Sequence, residues 1–174
     1  MALDEQQKAA QQKIALVIYS LQRDGAEKVV SLLSRQFVRM GHQVNVIVFD
    51  GRNTEYPYGG QLVDLNLPSQ KNASFLRKVI TLIRRMFALR RLYQQQYNRI
   101  IAVMESAAFP SILTGYSTIV SNHCNPDVYF TRSEWLLSRL LYPRAQQVVM
   151  VSKQSEASLR QRLRLHNLSC IYNP

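Results

Sequence analysis

Seven short runs of apolar, largely β-branched residues recur along this chain: Ile14 to Tyr19, Val44 to Phe49, Leu62 to Leu67, Arg99 to Met104, Thr118 to Asn122, Gln147 to Val151 and Ser169 to Tyr172. Each is too short for a helix, and polar or turn residues bound it, so each reads as a buried strand. Most of the stretches between them carry helical periodicity. From Ala26 to Met40 the apolar positions Val29, Val30, Leu32, Leu33 and Phe37 fall at helical spacing, with Gly41 as the stop. Strands that alternate with helices pair in parallel, and parallel pairing needs right-handed crossovers. The expected architecture is an α/β doubly wound parallel sheet of about seven strands, with helices on both faces.

A chain of 174 residues suits one domain able to bury a core without disulfides or metal. No apolar run approaches the roughly 20 residues that cross a bilayer. Residues 1–12 read as a polar, Gln/Ala-rich extension without the charged start and apolar centre of a secretory signal, so a cytoplasmic location is expected. Cys124 and Cys170 are too few for a disulfide framework and too isolated for zinc, and no metal is expected. The formal charge of +11 should draw the surface toward phosphates of lipids, nucleotides or nucleic acid.

Two segments sit where ligands of open α/β sheets bind, at the carboxyl ends of strands. After the first strand, Ser20 to Glu27 opens onto a helix whose first N–H groups lack helical partners and carry the positive dipole end. Asp24, Gly25, Ala26 and Glu27 are therefore candidate substrate-binding residues, with Gly25 admitting close approach; Asp24 reads equally as a plain N-cap. After the fifth strand comes Ser121-Asn122-His123-Cys124-Asn125-Pro126. His123 is the candidate catalytic residue, as donor to a substrate phosphate or hydroxyl or as base, and Asn122 a candidate contact. The alternative is a histidine bonded to a local carbonyl. Glu105 and Ser106, ending the fourth strand, are secondary candidates at the same edge.

A helix is expected from about Ala73 to Tyr93. Wound at 100° per residue, Arg77, Lys78, Arg84, Arg85 and Arg91 gather on one side. Phe75, Val79, Leu82, Ile83, Met86, Leu89 and Tyr93 line the other, with Leu76, Ile80 and Phe87 at its margin, an apolar arc wider than a surface helix needs. The five cations are candidates for contact with an anionic membrane; the alternative is a crossover helix with a solvated basic face.

From Lys13 onward the chain resembles the N-terminal domain of bacterial family 4 glycosyltransferases of the GT-B fold, in which two Rossmann-like domains face each other across a cleft. The residues that carry the likeness are Gly25-Ala26-Glu27-Lys28-Val29-Val30 leading to Gly41-His42-Gln43-Val44. Leu141-Tyr142-Pro143-Arg144-Ala145, Val148 to Ser152 and Ile171-Tyr172-Asn173-Pro174 are similar to the family's approach to its interdomain linker. The resemblance implies that residues 13–174 form the acceptor-side domain, with Gly25 in the glycine loop at the cleft and His123 near acceptor and transferred sugar. Asp24 departs from the pattern, standing where the family usually has its first glycine.

The expected partners follow from that resemblance. They are a nucleotide-sugar co-substrate held mainly by a second domain absent from this chain, a lipid-linked or saccharide acceptor, and an anionic membrane touched peripherally at the inner face of the plasma membrane. No other cofactor is expected. The whole enzyme would move a hexose to a cell-envelope glycan or glycolipid precursor, of the polysaccharide or lipopolysaccharide kind, with retention of configuration, and this domain alone would be inactive. Two other readings compete. A nucleic-acid-binding α/β protein explains the charge but lacks RNP aromatics, zinc-ligand spacing and a KH-type glycine loop. A non-catalytic sugar-binding module explains the fold without a second domain.

Overall fold

The computed structural model describes residues 11–22, 24–69 and 74–173; of the N-terminal extension, residues 1–10 lie outside the described residues. Seven strands, β1 (Lys13–Ile18), β2 (Gln43–Val48), β3 (Gln61–Asp64), β4 (Arg99–Val103), β5 (Thr118–Asn122), β6 (Gln147–Met150) and β7 (Leu168–Cys170), form one sheet. Their order is β3-β2-β1-β4-β5-β6-β7, and every pair is parallel. The expected doubly wound, Rossmann-like sheet is present. β3 closes earlier than its apolar run suggests, because Asn66 takes φ 49° and turns the chain, leaving Leu65 and Leu67 to donate singly to the Val48 and Phe49 carbonyls.

Helices α1 (Gly25–Arg39), α2 (Phe75–Tyr93), α3 (Glu105–Leu113), α4 (Pro126–Tyr129), α5 (Arg132–Leu141) and α6 (Lys153–Leu163) make the connections. The strand alternation splits the core in two. Ile14, Leu16 and Ile18 of β1 and Val44, Val46 and Val48 of β2 pack under Val30 of α1. Ala15, Val17, Ile47, Phe49, Ala102, Val120 and Val148 pack under Leu89 and Tyr93 of α2, Phe109 of α3, Leu141 of α5 and Leu159 of α6. One face is thus covered by α1 and the other by α2, α3, α5 and α6, as right-handed crossovers on either side of the reversal between β1 and β4 require. None of the helices among the described residues is long and apolar enough to cross a membrane.

Two glycines set the approach to β3. A Cβ on Gly60, whose φ is +83°, would strike the Val44 carbonyl, and a Cβ on Gly59 would strike the Ser34 carbonyl of α1. The same loop is tied to α1 by the Ser31 hydroxyl, which donates to the Pro57 carbonyl, and by the Gly59 N–H, which donates to Ser34 Oγ at 3.0 Å.

The sequence placed Arg85 on the outward basic face of α2, and the structure places it inside. Arg85 lies one turn before Leu89 on the ridge that ends at Tyr93, and all three are buried, Arg85 at 5% exposure. Its Nε and Nη2 donate to the Leu67 carbonyl at 3.1 and 2.8 Å, and Nη2 also donates to Ser69 Oγ at 3.0 Å. The guanidinium stacks 4.3 Å from the Phe49 ring centroid and 5.3 Å from that of Tyr19. Charge alone marked Arg85 as a surface residue, but its planar fork satisfies a carbonyl of the β3–α2 connection that would otherwise be starved near the core. The helix is turned accordingly: Leu76, Ile80, Ile83 and Phe87 face outward, at 72%, 54%, 44% and 60% exposure. Arg77, Lys78, Arg84 and Arg91 remain on the surface.

Replacing Arg85 by Met keeps the stem against Phe49 and Tyr19 and removes both carbonyl bonds. The expected loss is about 2 kcal/mol of folding free energy, read by urea titration as a lower midpoint at constant slope. An unchanged midpoint would show that Arg85 does not hold the connection.

Candidate functional site

The sheet reverses direction between β1 and β4, where α1 leaves to one face and α3 to the other, so a crevice opens at the carboxyl rim. Three neighbouring strands deliver the sequence candidates to it: Gly25 follows β1, Glu105 follows β4 and His123 follows β5.

The loop after β1 is fastened from within. Glu27, buried on the first turn of α1, accepts from Ser20 Oγ at 2.7 Å through one carboxylate oxygen and from the Asp24 N–H at 3.0 Å through the other. Asp24 is the extended N-cap of α1. Glu27 is therefore spent on shaping the loop. Ala26 is half-buried, packed against the α1-side core, whereas Asp24 and Gly25 are exposed, and a Cβ on Gly25 would meet nothing within 4 Å. The open space lies in front of the positive end of a fifteen-residue helix.

At the middle strand, Met104 carries φ 65° and ψ 164°, a backbone conformation that residues other than glycine rarely adopt. It is held there from three sides. Its N–H donates to the Ser121 carbonyl at 3.0 Å, its carbonyl accepts from Ala107 and Ala108, and its Sδ accepts from the His123 N–H at 3.4 Å. This strained residue sits at the point where the sheet reverses, between the two loops that face the crevice.

Glu105 and Asn122, read separately from the sequence, meet in one buried network. Glu105 Oε1 accepts from Asn122 Nδ2, and Tyr142 Oη donates to the same oxygen at 3.3 Å. The Asn122 amide oxygen accepts from the Cys124 N–H at 3.0 Å and from Cys124 Sγ at 3.1 Å. Both ends of the Asn122 side chain are occupied, so it braces the turn that presents His123 rather than reaching outward. Burial pushes the Glu105 carboxyl up to about 7, with the nearby Glu134 charge adding to it and the Tyr142 and Asn122 bonds opposing it. Burial likewise pushes the Cys124 thiol up to about 12, with Glu105 and Glu134 assisting. Tyr142, in the 3₁₀ turn Tyr142–Arg144, is fully buried. In the sequence Tyr142 carries only part of the likeness over Leu141 to Ala145; its bond to Glu105, 37 residues away, emerges with the fold.

His123 lies on the α1 side of the rim, half-buried, with Nε2 3.0 Å from Ser121 Oγ. Burial holds its imidazole below the ordinary value, with the Asn173 side chain opposing. The ring is thus neutral near pH 7, with Nε2 engaged by Ser121 Oγ and Nδ1 buried in the free protein. Ser106 is half-buried on the opposite side of the sheet, in the groove between α2, α3 and α5. The rim therefore brings together Asp24, Gly25 and His123, keeps Glu27, Glu105 and Asn122 as its internal fastenings, and leaves Ser106 and the α2 cations outside the crevice.

Because Glu105 binds its proton more tightly when folded, the sign of its pH effect follows directly. Below its unfolded value of 4.5 it contributes nothing, and stability is lost as pH rises from 4.5 through about 7. Glu105→Gln abolishes that loss, so the stability difference between wild type and variant should shift by about 3 kcal/mol in the variant's favour between pH 5 and pH 8. A difference that stays flat across that range in urea titrations refutes the protonated form.

The model of Glycosyltransferase Family 4 matches residues 23–174. Among solved structures, a glycosyltransferase from Rickettsia africae ESF-5 superposes with a TM-score of 0.65 at 10% identity, over 94% of this chain and 43% of that one. Anabaena Alr3699/HepE superposes in complex with UDP and glucose at 0.62 and 18% identity, and in complex with UDP-glucose at 0.63 and 17% identity, over 93% of this chain and 44% of that one in both cases. At these identities the likeness is one of fold, and the chain spans less than half the length of the structures it matches. No curated protein matches. The family match runs from residue 23, ahead of α1, to the last residue and takes in Asp24, Gly25, Glu105 and His123, and by it the chain belongs to Glycosyltransferase Family 4.

Proposed function

We propose that this chain is the acceptor-side domain of a retaining glycosyltransferase that moves a hexose from a nucleotide-sugar to a lipid-linked cell-envelope acceptor, and that it is inactive alone. The observation that carries the reading is the rim itself, an open helix start at Gly25 and a neutral His123 on strands flanking the strained Met104. Such a rim forms one wall of a cleft. A departing nucleotide diphosphate needs preorganised donors on both sides, and the Gly25 end of α1 can supply them on one. His123 donates to, or takes a proton from, a hydroxyl of the sugar or acceptor. The Anabaena structures with UDP, glucose and UDP-glucose support a nucleotide-sugar as donor.

Membrane contact belongs to the same reading, on a face different from the one charge suggested. Leu76, Ile80, Ile83 and Phe87 fall within an arc of about 60° on the outside of α2, with Arg84 and Arg91 along one edge and Arg90 along the other. An exposed apolar stripe between arginines suits the interface of an anionic leaflet, with Arg77 nearby to add attraction, whereas Lys78 lies on the far side of the helix, toward the groove between α2, α3 and α5. The membrane would hold the domain where a lipid-linked acceptor resides, at the cytoplasmic surface.

Sugar transfer from radiolabelled nucleotide-sugars to a lipid extract, by the whole enzyme and by residues 1–174 alone, tests the assignment. Transfer by the whole enzyme only is expected; transfer by the isolated chain sinks it. In the whole enzyme, His123→Ala should lower kcat about 100-fold or more with folding intact. Gly25→Ala, which clashes with nothing in the free protein, should lower kcat/KM while leaving Tm unchanged. Sedimentation with phosphatidylglycerol vesicles tests the membrane face. Ile80→Asp combined with Phe87→Asp should abolish binding, and retention of binding would discard that face.

A further inference from the structure

Helix α3 packs against both α2 and α5, and those two stand apart as the walls of a groove with a volume of about 480 Å³, within the range of small-molecule sites. Its walls are Val79 and Leu82 of α2, Phe109 and Pro110 of α3, and Leu136 and Leu137 of α5. On the α2 side the apolar lining meets Ser69, Lys78 and Arg85. Arg85 is unusual there. It is 5% exposed, its bonds go to the Leu67 carbonyl and Ser69 hydroxyl, and among the described residues no carboxylate pairs with it. Asp50, the carboxylate that acts on it from a distance, is itself bridged to Arg52 at 2.6 Å.

A buried guanidinium without a counter-charge at one side of an apolar groove is complementary to one kind of ligand, an aliphatic chain ending in an anion. The acidic groups of the groove do not compete for that place. Glu134, on α5, is engaged by the Thr131 N–H and hydroxyl, both at 2.7 Å, and Glu105, on α3, is bonded to Asn122 and Tyr142. We infer that the groove between α2, α3 and α5 binds a single-chain lipid phosphate, its chain along Val79, Leu82, Leu136 and Leu137 and its phosphate on Arg85 and Lys78. The inference rests on the acceptor-side reading above and gives the lipid part of the acceptor a place at the carboxyl side of the sheet. It is distinct from the outward stripe of α2, which faces away from the groove and engages a bilayer rather than one molecule.

The test titrates the 174-residue chain with monomeric n-dodecyl phosphate, below its micelle concentration, and follows methyl resonances of Val79, Leu82, Leu136 and Leu137 and the Arg85 Nε–H resonance. Saturable shifts in both sets are expected, with uncharged dodecyl maltoside at least about tenfold weaker. Leu136→Asp, at a position 60% exposed and so tolerant of change, and Lys78→Glu should each weaken binding about tenfold. Both should leave vesicle sedimentation through Ile80 and Phe87 intact. Absence of saturable shifts, or dodecyl maltoside binding as tightly as the phosphate, overturns the inference. Because the readout is direct binding, it can fail while sugar transfer by the whole enzyme succeeds, and the reverse outcome leaves the groove standing without the transferase.

Discussion

A strand can lie parallel to its predecessor only after the chain has travelled back to the starting edge, and that return is what organises this protein. Six parallel pairings put every strand start at one rim and every strand end at the other. The rim of strand ends collects helix starts, with their unpaired N–H groups, while the opposite rim collects helix ends. Chemistry is thereby confined to one side before any side chain is chosen. The reversal of strand order beside β1 then parts α1 from α3 and leaves a gap that side chains can line.

Holding that gap open takes polar groups out of water. Glu27, Glu105, Asn122 and Tyr142 are all buried at the rim, and each is bonded to another part of it. A carboxyl raised to about 7 and a backbone at φ 65° are destabilising features, and both lie on the single turn that joins β4 to α3. Stability is sacrificed where shape matters, a pattern expected of a binding rim more than of a packing surface.

The strands were legible because short β-branched runs can do little else, and most of the parallel order followed from the helices between them, although β2 and β3 pair in parallel with only a loop in between. His123 and Glu105 were legible as rim residues from their place after strands. Arg85 was not, because helical periodicity fixes which residues share a face but not which face looks inward. The same ambiguity left open which part of the wide apolar arc is buried: Leu89 and Tyr93 are, while Phe75 and Ile83 lie outside. Tyr142 and the backbone of Met104 left no trace in composition or spacing. Their roles depend on contacts across 37 residues in one case and on a strained dihedral in the other.

The paired glycines ahead of β3 have a consequence for the edge of the sheet. Gly59 abuts the backbone of α1 and Gly60 the backbone of β2, so neither position admits a side chain. Sliding β3 one step in either direction would bring Tyr58 or Gln61 into one of these two seats, and both carry a Cβ. The outermost strand is thus indexed by main chain meeting main chain, and its own side chains are left free to vary without loosening its alignment.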